Sequence, residues 1–287
     1  MTTRSVQQLL KASACISAAL LALSARASLQ DRDENREERQ GRAALATGQY
    51  VTPTAISGAV QQYLNPGLAG YPNFVAGEAV RSRLSPDGST LAILTAGQNS
   101  LYKSDGTVDA ENSTQYIFIY NIEGANKAKP KLTQVIKQVN AHVGLVFSPD
   151  GSRLYAAGGS DDAVYVYTRS GGTFTSGTPI ALGHSQKGVG LRVEPNASGL
   201  DISADGQTLV VANNYNDSIS VIDTATRLVR YEHDLRPYFV HNEGRNGGVG
   251  GTFPYAVVMK GNDTAYVSSD RDREVVVVNV ASTRRAT

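Results

Sequence analysis

Ser148-Pro-Asp-Gly151, followed by the strand-like run Arg153-Leu-Tyr-Ala-Ala157, decides the fold, because the phrase recurs. It stands as Ser85-Pro-Asp-Gly88 upstream and Ser203-Ala-Asp-Gly206 downstream, with a decayed fourth copy at Met259-Lys-Gly-Asn262. The first members are 63, 55 and 56 residues apart. A fixed phrase at a near-fixed period marks stacked copies of one small β unit. The phrase also has a mechanism. Proline presets φ at the first turn position, aspartate bonds its own backbone and glycine takes a positive φ.

Each copy reads as an inner strand, the turn, a second strand, a polar loop, a third strand and a weaker fourth. In the second copy the strands are expected at 143–148, 153–157, 163–167 and about 178–182. Val164, Tyr165, Val166 and Tyr167 place alternate residues on opposite faces, as a strand requires. The fold expected is all-β: a β-propeller of four-stranded antiparallel blades, about four of them, forming an incomplete ring. The blades are expected at 80–139, 140–182, 183–235 and 236–287, the last truncated. Residues 43–79, with Pro53, Pro66 and Pro72, read as an irregular lead-in holding a closing strand near Tyr63.

The N-terminus reads as an export signal. Arg4 and Lys11 flank the apolar run Ala12 to Leu23, and Ala25-Arg26-Ala27 precedes Ser28 as a cleavage site. The run is too short for a fixed membrane span. A mature chain from Ser28 carries 24 basic and 26 acidic residues, so no basic excess points to nucleic acid. Residues 28–42, dense in mixed charge, read as a solvated tether. The single cysteine, Cys15, lies in the signal, so disulfides, thiolate metal sites and thiol nucleophiles are not expected in the mature chain. The location expected is periplasmic or secreted.

Leu209-Val-Val-Ala-Asn213 and Ser218-Ile-Ser-Val-Ile-Asp223 resemble the repeat unit of the YVTN-type (YncE-like) propeller family, and Leu154–Gly158 and Ala265–Ser269 resemble it more loosely. Five further stretches are similar to the N-terminal propeller of exported bacterial proteins carrying an alkaline-phosphatase-like phosphoesterase domain. They are Gln49–Thr54, Leu64–Gly67, Leu91–Thr95, His233–Pro237 and Ser268–Arg273. The resemblance implies a partner domain in a longer form. None of that domain's catalytic residues falls in this chain.

Strand order puts the Pro-Asp-Gly turns on one face and the long crossovers on the other. Function usually sits on long loops held by a rigid scaffold. The ligand-binding candidates on that face are His142, His184, His233, Arg236, His241 and Arg245. An imidazole bonded to a backbone carbonyl is the plainer reading of His142 and His184, and a blade-to-blade ion pair that of Arg236 and Arg245. No histidine pair has metal-ligand spacing, so no metal is assigned. The recurring acidic loops Asp161-Asp162, Asn216-Asp217 and Asp270-Arg271-Asp272 read as loop caps before calcium sites. Gly244–Gly251 lacks the lysine and helix of a phosphate cradle. No Gly-x-Ser-x-Gly elbow is present.

These readings give a non-catalytic binding or scaffold propeller, without cofactor, as the expected function. The alternatives are a propeller enzyme, lactonase-like or quinoprotein- or haem-linked, and a surface-layer or adhesion module. The partner expected is an unknown small molecule or protein at the crossover face.

Overall fold

The computed structural model describes residues 43–44, 47–51, 59–184, 196–236 and 251–281. The chain divides into two compact units, Met1–Gln62 and Tyr63–Thr287. In the first, the described strands are β1 (Ala43–Ala44) and β2 (Tyr50–Val51), paired antiparallel.

The second unit holds four antiparallel sheets built in sequence order. Blade 1 is β3 (Ala79–Leu84), β4 (Thr90–Thr95), β5 (Gln115–Asn121) and β6 (Lys131–Gln138). Blade 2 is β7 (Leu145–Phe147), β8 (Arg153–Ala157), β9 (Ala163–Ser170) and β10 (Thr173–Ser176), with β11 (Ile180–Ala181) also on β9. Blade 3 is β12 (Ala197–Ile202), β13 (Thr208–Asn213), β14 (Ser218–Asp223) and β15 (Leu228–Asp234). Blade 4 is β16 (Pro254–Lys260), β17 (Thr264–Ser269) and β18 (Glu274–Asn279). No α-helix occurs among the described residues. The arrangement is that of a four-blade β-propeller.

The turn phrase works as its residues dictate. Ser85 Oγ donates to Asp87 Oδ1 at 2.5 Å and accepts the Thr90 N–H at 2.9 Å, while Asp87 Oδ1 accepts the Ser89 N–H at 3.0 Å. Ser148 with Asp150 and Ser203 with Asp205 repeat this at 2.6 Å each. The fourth copy differs from the sequence reading. The ladder pairs Lys260 with Thr264, so Lys260 rather than Met259 takes the place of the serine. That turn is one residue shorter, and Asn262 instead accepts the Asp205 N–H of blade 3 at 3.0 Å.

Period-two alternation explains the packing. In β5, Ile117 and Ile119 face blade 2, against Leu145, Phe147 and Leu154. Tyr116, Phe118 and Tyr120 face the other way, beneath Leu64, Leu68, Phe74 and Ala76. With both faces covered, β5 reads as a nearly continuous apolar run. Residues 63–78 hold no strand near Tyr63, where one was expected; Leu64, Leu68, Phe74 and Ala76 cover blade 1 instead. Val164 and Val166 of blade 2 pack on Leu200, Leu209 and Val211 of blade 3. Ile219 and Val221 of blade 3 pack on Val257, Val267 and Val278 of blade 4.

The innermost strands β3, β7, β12 and β16 lie side by side around the axis. Their backbones come unusually close. A Cβ on Gly144 would meet Ser198 O at 2.3 Å, and one on Gly199 would meet Tyr255 O at 2.3 Å. Only glycine fits such approaches.

Candidate functional site

The inner strands use polar side chains to tie one blade to the next. Arg81 Nε donates to Val143 O at 2.8 Å, and Arg83 Nε to Leu145 O at 3.0 Å. Two junctions further on, between blades 3 and 4, Asp201 Oδ2 accepts the Met259 N–H at 2.7 Å. Ser198 Oγ donates to Tyr255 O at 3.0 Å. Arg83 and Asp201 hold the same repeat position, two residues before the turn serine.

Arg81, His142, Ser198 and Tyr255 lie at or just before the starts of the inner strands, at the end opposite the turns, whereas Arg83 and Asp201 lie nearer the turns. His142, half-buried, sits just before β7. Its Nδ1 lies 3.0 Å from Ser198 Oγ, and its ring meets that of Tyr255 edge-on at 5.5 Å. Burial lowers the pKa of His142, and no carboxylate opposes the shift. The imidazole is therefore neutral at pH 7 and free to take a proton. Arg81, partly buried, has its pKa lowered by burial and by the neighbouring Arg83, an effect that Tyr255 and Asp201 partly oppose. No carboxylate forms an ion pair with Arg81 or Arg83 among the described residues. Two adjacent guanidinium groups with no ion-pair partner among the described residues are disposed to receive an anion or a developing oxyanion.

A second cluster joins blades 2 and 3 away from the axis. His184, 1% exposed, has Nδ1 at 2.8 Å from Asp162 Oδ1 and Nε2 at 3.1 Å from Glu232 Oε1. Its backbone N–H donates to Asp162 Oδ2 at 2.6 Å. Asn213 reaches Nε2 at 3.1 Å and donates to Ser218 and Ser220. Ser218 and Asn216 donate to Glu232 at 2.5 and 2.8 Å. Burial alone would lower the His184 pKa. The hydrogen bonds and charges of Asp162 and Glu232 outweigh it, and the pKa is pushed up to about 9. Asp162 and Asp217 share a device: each takes a left-handed φ, 50° and 54°, just before the third strand of its blade. The Asp217 carboxylate accepts the Phe253 N–H at 3.0 Å, so each aspartate caps the chain entering the next blade.

The other candidates do not converge on either cluster. His233 on β15 is 4% exposed, with Nε2 unpartnered and Tyr231 edge-on at 5.0 Å; burial lowers its pKa. Arg236 chelates Asp234, two residues away, at 3.0 and 2.7 Å. His241 and Arg245 lie outside the described residues. No group of three or more histidine, cysteine or acidic residues among the described residues is placed to hold a metal. Sequence reasoning missed Arg81, Arg83, Ser198 and Tyr255. One signal was present: Ser198 and Tyr255 are 57 residues apart, close to the repeat period, so they fall on neighbouring blades.

Residues 108–234, from the loop before β5 to the end of β15, match the family model described as lactonase, 7-bladed beta-propeller. No curated protein matches the chain. Among solved structures, a hydrazine synthase of Kuenenia stuttgartiensis is 19% identical, with a TM-score of 0.49, over 83% of this chain and 51% of that one. A putative 6-phosphogluconolactonase from Bacteroides uniformis is 13% identical, with a TM-score of 0.49, over 83% of this chain and 59% of its own. One from Bacteroides fragilis is 14% identical, with a TM-score of 0.48 and the same two coverages. The chain thus spans between half and three-fifths of the length of these solved chains. The match to the lactonase family overturns two expectations of the sequence reading, that the propeller is a non-catalytic scaffold and that the chain is not an enzyme. The reason is chemical. Lactone hydrolysis can use water as nucleophile, so neither a serine elbow nor a haem motif need appear, and its polar groups can come from several blades. Over those residues, this chain is similar to a family of hydrolytic propellers.

Proposed function

We propose that this chain forms part of a propeller enzyme that hydrolyses lactones at the axial cluster. The observation that carries the reading is the lactonase match over residues 108–234, which contains His142 and Ser198. In the proposed reaction a water attacks the lactone carbonyl while His142 takes its proton. Arg81 and Arg83 offset the charge that develops on the carbonyl oxygen. Collapse of the tetrahedral adduct breaks the ring C–O bond. The departing alkoxide takes the proton back from His142, and the product is a hydroxy acid. The neutral imidazole handles the proton and the cationic guanidinium groups the developing negative charge.

Export belongs to the same proposal, supported by Arg4, Lys11, the run Ala12 to Leu23 and the Ala25-Arg26-Ala27 site. A mature chain beginning at Ser28 is its expected product. The likeness to the YVTN-type repeat and to propellers joined to a phosphoesterase supports a larger multidomain protein. The catalytic reading is tested by titrating acid release from γ- and δ-lactones, with and without a carboxylate or phosphate substituent, at pH 7. Release well above the buffer rate is expected. Release at the buffer rate from folded protein, for every lactone, refutes the reading.

A further inference from the structure

We propose that Ser198 is a positioning residue: it fixes His142 as the tautomer with its proton on Nδ1, leaving Nε2 as the proton acceptor. The consequence for rate rests on the proposed hydrolysis, but the tautomer itself does not. Ser198 is fully buried, and its hydroxyl has a single proton to give. Tyr255 O, 3.0 Å away, can only accept. The proton therefore points at Tyr255 O, and a lone pair of Ser198 Oγ faces His142 Nδ1 at 3.0 Å. Two lone pairs repel at that distance, so Nδ1 must carry the hydrogen. The opposite tautomer would draw the hydroxyl proton to Nδ1 and deprive Tyr255 O of its donor.

The backbone prepares this arrangement. The register of β12 on β13 shifts between Ala197 and Leu200, and that of β16 on β17 shifts between Pro254 and Val257. Each irregularity takes the residue concerned, Ser198 or Tyr255, out of regular ladder pairing. Bulges of this kind re-aim groups beside active sites. The close approach at Gly199, where a Cβ would meet Tyr255 O at 2.3 Å, holds the two strands together. Blade 4 thus acts on a blade 2 histidine through one hydroxyl of blade 3. An orienting partner on the second ring nitrogen is the general means of choosing which nitrogen acts.

Long-range proton–nitrogen spectra of the ¹⁵N-labelled protein test the proposal, with His142 identified through its Gln variant. Wild type is expected to show His142 with a protonated Nδ1 and a bare Nε2. Ser198→Ala is expected to lose that pattern in favour of protonated Nε2. Tyr255→Ala, which keeps the carbonyl, is expected to retain it. A protonated Nε2 in wild type overturns the proposal, as does an unchanged pattern in a folded Ser198→Ala variant. If Ser198→Ala does not fold, wild type and Tyr255→Ala decide: the proposal stands only if both carry the proton on Nδ1. The expected tautomer without lactone hydrolysis would sink the functional reading and leave this inference standing. Where hydrolysis is measurable, Ser198→Ala is expected to lower kcat more than it raises KM and to move the pH profile of kcat.

Discussion

His142 and His184 both lie where blade 2 meets blade 3, at the end of the blades opposite the turns, yet their surroundings give them opposite charges. His184 is held between Asp162 and Glu232, and its pKa is pushed up to about 9. His142 faces a hydroxyl and an aromatic ring, and burial alone lowers its pKa. At pH 7 the first is a cation and the second is neutral. A cation whose hydrogens are committed to two carboxylates serves as a clamp. A neutral imidazole with one nitrogen uncommitted has a lone pair with which to accept a proton. Residue type did not decide the role; the neighbours delivered by adjoining blades did.

That contrast can be broken at several points. The largest effect is expected at His142. Under the proposed hydrolysis, His142→Gln should lower kcat by roughly 10²–10⁴-fold, the range for a lost general base, with the urea midpoint unchanged. His184 should behave in the opposite way. His184→Ala leaves two nearly buried carboxylates without their cation, and urea unfolding should show a loss of about 3–5 kcal/mol with kcat retained in the folded fraction. The pH dependence follows from the direction of the shift. Because His184 has a higher pKa folded than unfolded, its contribution is complete below about pH 6.5 and is lost as pH rises through about 9. Its size is on the order of 3 kcal/mol, from 1.36 kcal/mol per pKa unit. Wild type should therefore unfold more readily at pH 10 than at pH 6, and His184→Ala should flatten that slope.

Smaller effects sharpen the picture. Gly144→Ala places a Cβ 2.3 Å from the backbone oxygen of Ser198, the partner of His142. Overpacking of this kind should cost about 1–3 kcal/mol in urea unfolding and disturb the His142 site. The two ends of the blade series make a gentler test. The outer face of blade 1 is covered by Leu64, Leu68 and Phe74, whereas Val258, Val275 and Val277 of blade 4 are 56%, 63% and 57% exposed. Val275→Lys should change stability by no more than about 0.5 kcal/mol, while Phe74→Ala should cost clearly more in the same assay.

The fold was legible because its determinants are local. Ser85, Asp87 and Thr90 complete their turn within six residues, so the phrase carries its own structure in sequence. Alternation in β9 and β14 was legible for the same reason. The fourth turn was misread by one residue because Lys260-Gly-Asn262 no longer holds the serine that marks the frame. The site was legible only in fragments. His142 and His184 stood out as histidines on crossovers, but their partners lie 56 residues away in Ser198 and 48 away in Glu232. No local spacing encodes such pairs. The repeat period encodes them indirectly, since residues about one period apart fall on neighbouring blades. The non-catalytic reading rested on the lack of nucleophile and cofactor motifs, which the proposed water-driven hydrolysis would not need.

The claim that the axis holds a neutral base while blades 2 and 3 are clamped by a charged histidine is tested most directly by one titration. Histidine ring signals of the intact protein would be followed from pH 5 to pH 10. His184 is expected to stay protonated until close to pH 9, and His142 to lose its proton below pH 6.5. A reversed order, or both rings titrating together near pH 6.5, would contradict it.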